Sequence, residues 1–215
     1  MRIKTIALVA GIALWMTSPA WAGTINFSQG ASGKQGTQLT YTVDGYSITA
    51  NGYQEGNYGN SATDLYVKTS GGDESGLGIN NENDHEIDTS QFIQLDLSSL
   101  ADAGITSGDL SIGSVQGGEG YTIFTSDALG LLGNWQLNGT KDDSPFSVSW
   151  SASDPIVGVT AYVPKNGSEG SDILLMSLST TNDPTPEPAS LALMGTGLLG
   201  LALAYRRYSK FSLAK

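Results

Sequence analysis

The densest concentration of groups able to do chemistry lies between residues 73 and 88. Asp73-Glu74 is followed there by Asn80-Asn81-Glu82-Asn83-Asp84-His85-Glu86-Ile87-Asp88. Calcium takes about six to eight oxygen ligands from carboxylates, amide carbonyls and backbone, so Asp73, Glu74, Glu82, Asp84, Glu86 and Asp88 are candidate calcium ligands. The segment lacks the central glycine and terminal glutamate spacing of an EF-hand loop. Without a ligand, the same residues read as a solvated acidic loop between two strands. Both readings stay open at this point.

His85 is the only histidine. A zinc site would have to complete its ligand set from carboxylates, and a Ser-His-Asp arrangement would need His85 as base with no G-x-S-x-G elbow to present the serine. The residue is expected on the surface. Two carboxylates suffice for a glycosidase, and carboxylates abound, but Trp135 and Trp150 are the only tryptophans beyond the N-terminal segment, and both are expected in the core. Tyr53, Tyr58 and Tyr121 stand in or near glycine-rich stretches and form a candidate surface for weak carbohydrate binding. Those stretches, around residues 52–59 and 117–120, match neither a Walker nor a dinucleotide spacing and read as loops. Asn138-Gly139-Thr140 and Asn166-Gly167-Ser168 match the glycosylation sequon, but Asn-Gly is also a turn. The expectation is a non-enzymatic protein.

Charge sharpens that expectation. The formal net charge of the 215 residues is −11. Six of the ten basic residues sit at the two ends, so residues 23–187 hold four Lys, no Arg and 21 acids, four minus twenty-one, or −17. Such a surface repels nucleic acid and anionic lipid and excludes nucleic-acid binding. Cysteine is absent, which removes disulfides, thiolate metal sites, a Cys nucleophile and a lipoprotein anchor.

The elements that must position these groups are short apolar or alternating runs separated by Gly, Asn, Asp and Ser. Strands are expected at 24–28, 38–43, 46–53, 65–69, 92–97, 110–115, 121–125, 134–137, 146–150, 156–163 and 173–179. Asp44-Gly45 between two of them is a hairpin signal. Residues 98–103 have room for one helical turn, and no amphipathic helix or internal repeat is present. About eleven strands in about 160 residues specify one all-β sandwich domain with a core of its own, over residues 23–183.

The ends have a different character. Residues 1–22 carry Arg2 and Lys4, an apolar run over 6–16, and Ala20-Trp21-Ala22. This is a signal peptide with Ala20 and Ala22 at the signal peptidase site; an uncleaved anchor is the lesser reading. Residues 184–215 run from alternate prolines at 184, 186 and 188, which hold the chain extended, into an apolar segment of about 190–205, then Arg206 and Arg207. As a helix that segment would span about 23 Å at 1.5 Å per residue, a marginal crossing of a hydrocarbon core of about 30 Å. Basic residues after the span keep this end cytoplasmic and the domain outside. Thr196, Gly200 and Ala204 would form one small-residue face for close helix packing. An ordinary tail anchor fits the same residues.

Pro186-Glu187-Pro188, the apolar segment and Arg206-Arg207, in that order at the C-terminus and paired with a signal peptide, resemble the PEP-CTERM sorting signal of Gram-negative bacteria that make exopolysaccharide. The resemblance implies general secretory export, temporary inner-membrane retention, cleavage near Pro-Glu-Pro by a membrane-embedded protease of the exosortase class, and release to the cell surface or extracellular matrix. The chain runs eight residues past Arg207, longer than is usual for that family. The strand pattern of residues 76–88, 91–100, 156–164 and 172–180 resembles the jelly-roll-like ectodomains often joined to this signal, which implies a jelly-roll-like β-sandwich and no known active site. A calcium-dependent module that binds exopolysaccharide is the alternative function, with calcium as its cofactor.

Overall fold

Alternation of polar and apolar residues becomes alternation of burial. In β3 (Gln38–Val43), Leu39, Tyr41 and Val43 turn toward the core while Gln38, Thr40 and Thr42 face out. Asp44 and Gly45 then adopt φ of 51° and 87°, the two left-handed residues of a tight hairpin turn. The chain returns as β4 (Tyr46–Gln54), with Val43 opposite Tyr46 and Gln38 opposite Asn51. In this computed structural model the described residues are 22–56, 59–81, 84–164, 171–181, 195–197 and 200.

Among them, the strands assemble into two antiparallel sheets of seven. The first runs β12 (Phe146–Ser149), β9 (Ser107–Gly113), β14 (Leu174–Thr181), β7 (Ser75–Ile79), β6 (Leu65–Thr69) and β2 (Gly33–Gly36), with β1 (Ala22–Asn26) also paired to β14. The second runs β11 (Asn134–Gly139), β10 (Gly120–Ser126), β13 (Ile156–Tyr162), β8 (Gln91–Asp96), β4 and β3, with β5 (Ser61–Ala62) on β4. The single helical turn, α1 (Ser98–Asp102), buries Leu100 and Ala101.

The inner faces share one core. Ile25, Leu65, Val67, Leu77, Ile79, Leu110 and Leu178 come from the first sheet, and Ile48, Ile93, Leu95, Ile123, Val157 and Val159 from the second. Trp150 closes one end, buried and donating from Nε1 to the Ile105 carbonyl at 2.7 Å. Removal of this much aliphatic surface from water is the main force holding the sheets together. The expected all-β sandwich is present, and residues 21–181 cluster as one compact unit.

Three strands, β2, β5 and β7, lie outside the expected set. β7 reads Ser-Gly-Leu-Gly-Ile, and its glycines look like turn residues. They are there for close backbone approach: a Cβ on Gly76 would stand 2.7 Å from the Leu175 carbonyl oxygen, and one on Gly78 would stand 2.1 Å from that of His85.

Gly78→Ala is therefore expected to destabilise the domain by about 3 kcal/mol or more, because backbone cannot yield as a side chain can. Gly117→Ala, which meets open space, should change the melting temperature very little. Thermal unfolding of the two variants checks this.

Candidate functional site

The acidic segment is organised around one cation. Lys68 on β6 reaches Glu74 Oε2 at 3.0 Å and pairs closely with Glu86 Oε1. Glu74 lies in a 3-10 turn at Gly72–Glu74, and its other oxygen accepts from Ser114 Oγ at 3.1 Å. Glu86 is buried, with 5% of its side chain exposed. Burial pushes its carboxyl above the ordinary range, and the hydrogen bond from Lys68 opposes that push. At Glu74 the Lys68 hydrogen bond wins and holds the carboxyl below its ordinary value.

The loop between β7 and β8 is built by its own amides and carboxylates. Asn81 Oδ1 accepts from the backbone N–H of Asp84 at 3.2 Å and of His85 at 2.8 Å, while Asn81 Nδ2 donates to the Glu86 carbonyl at 3.0 Å. Asp84 Oδ1 accepts from the Glu86 N–H at 3.0 Å, and Asp88 Oδ1 accepts from both the N–H and the hydroxyl of Ser90 at 2.7 Å. These are the local side-chain-to-backbone bonds that Asn and Asp favour in turns. His85 takes φ of 65° and stacks on Tyr66 with ring centroids 3.8 Å apart. It is partly buried, with its Nδ1 enclosed, not the surface histidine expected.

An isolated antiparallel bridge, Ile87 to Ile173, brings Asp172 to this loop, where its carboxyl feels that of Asp84. Burial, then the Asp84 charge, push the Asp172 carboxyl up to about 7. Nothing in the sequence singles out Asp172, because the partner that perturbs it is distant along the chain. Asp73, by contrast, lies apart and exposed, 3.4 Å from Lys141. Glu82 lies outside the described residues. Among the described residues, no three of these acids and His85 form a group that could hold a metal ion.

Tyr53 and Tyr121 differ in burial. Tyr121 is fully buried in the core, where burial and then the Asp143 charge push its hydroxyl up to about 12. Its ring also fills the space beside Gly139. Tyr53 is packed against Phe92, ring centroids 5.1 Å apart, and its ring lies against Gly130. Tyr58 lies outside the described residues, and Trp135 lies on β11. Of the tyrosines proposed for a carbohydrate surface, Tyr121 is buried and cannot belong to one, while Tyr53 is only partly buried.

The two ends of the sandwich meet. β1 pairs with β14 in a register that sets Ala22 opposite Thr181 and Asn26 opposite Ser177. Ala20, Pro186, Glu187, Pro188, Arg206 and Arg207 lie outside the described residues. Among the described residues no helix is long and apolar enough to cross a membrane, and the apolar segment at about 190–205 lies mostly outside them.

The class defined so far is a two-sheet antiparallel β-sandwich with an acidic surface and a separate C-terminal segment. That segment is identified directly: residues 184–207 match the family model of the PEP-CTERM protein-sorting motif, three residues beyond the end of β14. The chain is a PEP-CTERM domain-containing protein. Neither the curated proteins nor the solved structures contain a match to it.

Two outcomes are expected from the acidic region. Lys68→Met leaves Glu86 buried without its cation and should cost about 3–5 kcal/mol at neutral pH, less in acid as Glu86 takes a proton. For Asp172 the folded-state pKa is raised, so the folded chain binds more protons than the unfolded one. Its contribution to stability is full below the unfolded carboxylate range and is lost as pH rises through about 7. Asp172→Asn should flatten the fall in stability between pH 4 and 7, measured by denaturant unfolding at stepped pH.

Proposed function

We propose that this chain is an exported, non-enzymatic protein of the cell surface or extracellular matrix of a Gram-negative bacterium. Its ectodomain is delivered by an N-terminal signal peptide and released by an exosortase-type membrane protease acting near Pro186-Glu187-Pro188. The observation that carries this reading is the sorting motif at 184–207. The motif implies an exosortase as processing partner and export through the membrane toward the surface.

The placement of the ends supports the same reading. The sandwich is closed by strands that begin at Ala22 and end at Thr181, so the expected signal peptidase site falls at the very start of β1, and the sorting motif begins three residues after β14 ends. Processing at either end leaves the core intact. The alternate prolines of Pro184-Thr185-Pro186-Glu187-Pro188 disfavour a helix, a composition that suits a protease gripping extended chain.

A role as material, not as catalyst, is supported by what the polar groups do. Within the acidic segment, Glu74 and Glu86 are engaged with Lys68, and Asp84 and Asp88 with backbone N–H groups. The net charge of this domain keeps it soluble and apart from nucleic acid and anionic lipid once it is released.

The test is the intact mass of the protein recovered from cells and from medium, in the host and in a strain lacking the exosortase-type protease. The expected result is a mature species beginning near Gly23 and ending near residues 186–188, with a longer form accumulating in the mutant's membranes. Glu187→Ala in the host should reproduce that accumulation. A full-length C-terminus in both strains would identify the segment as a plain membrane anchor.

A further inference from the structure

We propose that a cleft on the outer face of the first sheet binds a neutral sugar unit. The inference is independent of how the C-terminus is processed. The cleft has a volume of about 330 Å3 and is formed where β1, β9 and β14 lie side by side. That is near the lower end of the roughly 300–1,000 Å3 found for small-molecule sites, enough for one ring and not for a large ligand.

Its chemistry follows from strand register. Asn26, Ser177 and Ser111 are consecutive partners across β1, β14 and β9. Their neighbours Ile25, Leu178, Leu110 and Ile112 belong to the core, so these three polar side chains face outward in a row. Ser28, Ser75 and Ser144 complete the polar wall, with Met176 as the one apolar side chain.

Several of these groups are fixed in place. Ser144 Oγ accepts from the Ile112 N–H at 2.9 Å and donates to the Ile112 carbonyl at 3.0 Å. Asn26 Oδ1 is occupied by the N–H of Ser28 at 2.9 Å and by its hydroxyl at 2.7 Å. This directs the remaining capacity of the Asn26 amide, its Nδ2 donors, to other partners. The hydroxyls of Ser111 and Ser177 have no hydrogen-bond partner among the described residues, and each can donate and accept.

The lining selects the ligand class by elimination. No charged side chain lines the cleft, although the domain around it is strongly acidic, so neither a metal cation nor an anion has a counter-charge there. No aromatic ring lines it, so a flat aromatic ligand has nothing to stack on. Groups that both donate and accept, set on rigid strands beside one thioether, match a ligand whose own groups both donate and accept along an aliphatic ring: a neutral pyranose. Because the cleft is open, a sugar within a polymer can occupy it without the chain ends being buried.

The experiment titrates isotopically labelled, processed protein with glucose, galactose, mannose and N-acetylglucosamine in turn, followed by amide chemical shifts. At least one of the four should give saturable shifts centred on residues 26–28, 75, 111, 144 and 176–177, with a Kd of the order of millimolar, as a few hydrogen bonds to one sugar unit provide. Ser111→Val with Ser177→Val, changes that suit strands, should weaken that binding at least tenfold with the melting temperature retained. Should the double variant fail to fold, Ser177→Gln, which fills the cleft while remaining polar, should have the same effect. The proposal is overturned by absence of saturable shifts with all four sugars, by shifts that map elsewhere, or by undiminished binding in a folded variant.

Discussion

The structure depends on the last strand of the sandwich. β14 has β9 along one side; on the other, β7 takes its first half and β1 its second. Its Leu175 and Leu178 enter the core beside Ile25, Leu77 and Leu110. Without β14 the first sheet would fall into separate pieces, each with unpaired backbone groups and an uncovered apolar face. A bulge between Leu175 and Ser177 lets one strand serve both partners while keeping its leucines inward. The chain therefore cannot complete its core until residues adjoining the sorting motif have joined the fold. The β1 to β14 pairing, from opposite ends of the domain, is the kind of long-range contact that makes β-sandwiches slow to fold.

Electrostatics sets the second constraint. A domain with 20 acids and four lysines over residues 23–183 gains most from a lysine placed where it offsets the most unfavourable charge. Lys68 does so by standing between Glu74 and the buried Glu86. A buried pair of this kind contributes little net stability relative to an apolar packing, but it tolerates no loss of one partner. Lys34 pairs with Asp64 at 2.5 Å and Lys141 with Asp73, both at more exposed positions where an ion pair contributes less. Among the described residues no lysine pairs with Asp84 or Asp172, and burial together with the Asp84 charge raises the Asp172 carboxyl.

Sequence patterning revealed most of the fold in two ways. Gln38–Val43 alternates as a half-buried strand must, whereas Gln91–Asp96, Gly120–Ser126 and Ile156–Tyr162 are buried on both faces and stand out as runs rich in apolar and β-branched residues. The Asp44-Gly45 turn is legible because only residues tolerant of positive φ fit it. β7 was not legible, since its glycines answer to neighbouring backbone that no local pattern discloses. The acidic segment was visible as composition, but its organisation was not: Lys68, Ser114 and Asp172 reach it through pairings far apart in the chain. Tyr121 misled for a related reason, as glycines beside an aromatic residue suggest an exposed loop, whereas here Gly139 makes room for the ring inside the sandwich.

The register of β1 on β14 links the fold to its delivery. Ala22 stands opposite Thr181, so the chain enters and leaves the first sheet at one corner. Every core residue of the two sheets among the described residues lies between Ile25 and Leu178. The sorting motif begins three residues after Thr181, so in sequence it follows directly on the strand that joins the parts of the first sheet, and that strand's last residue is held in register by the first residue of β1.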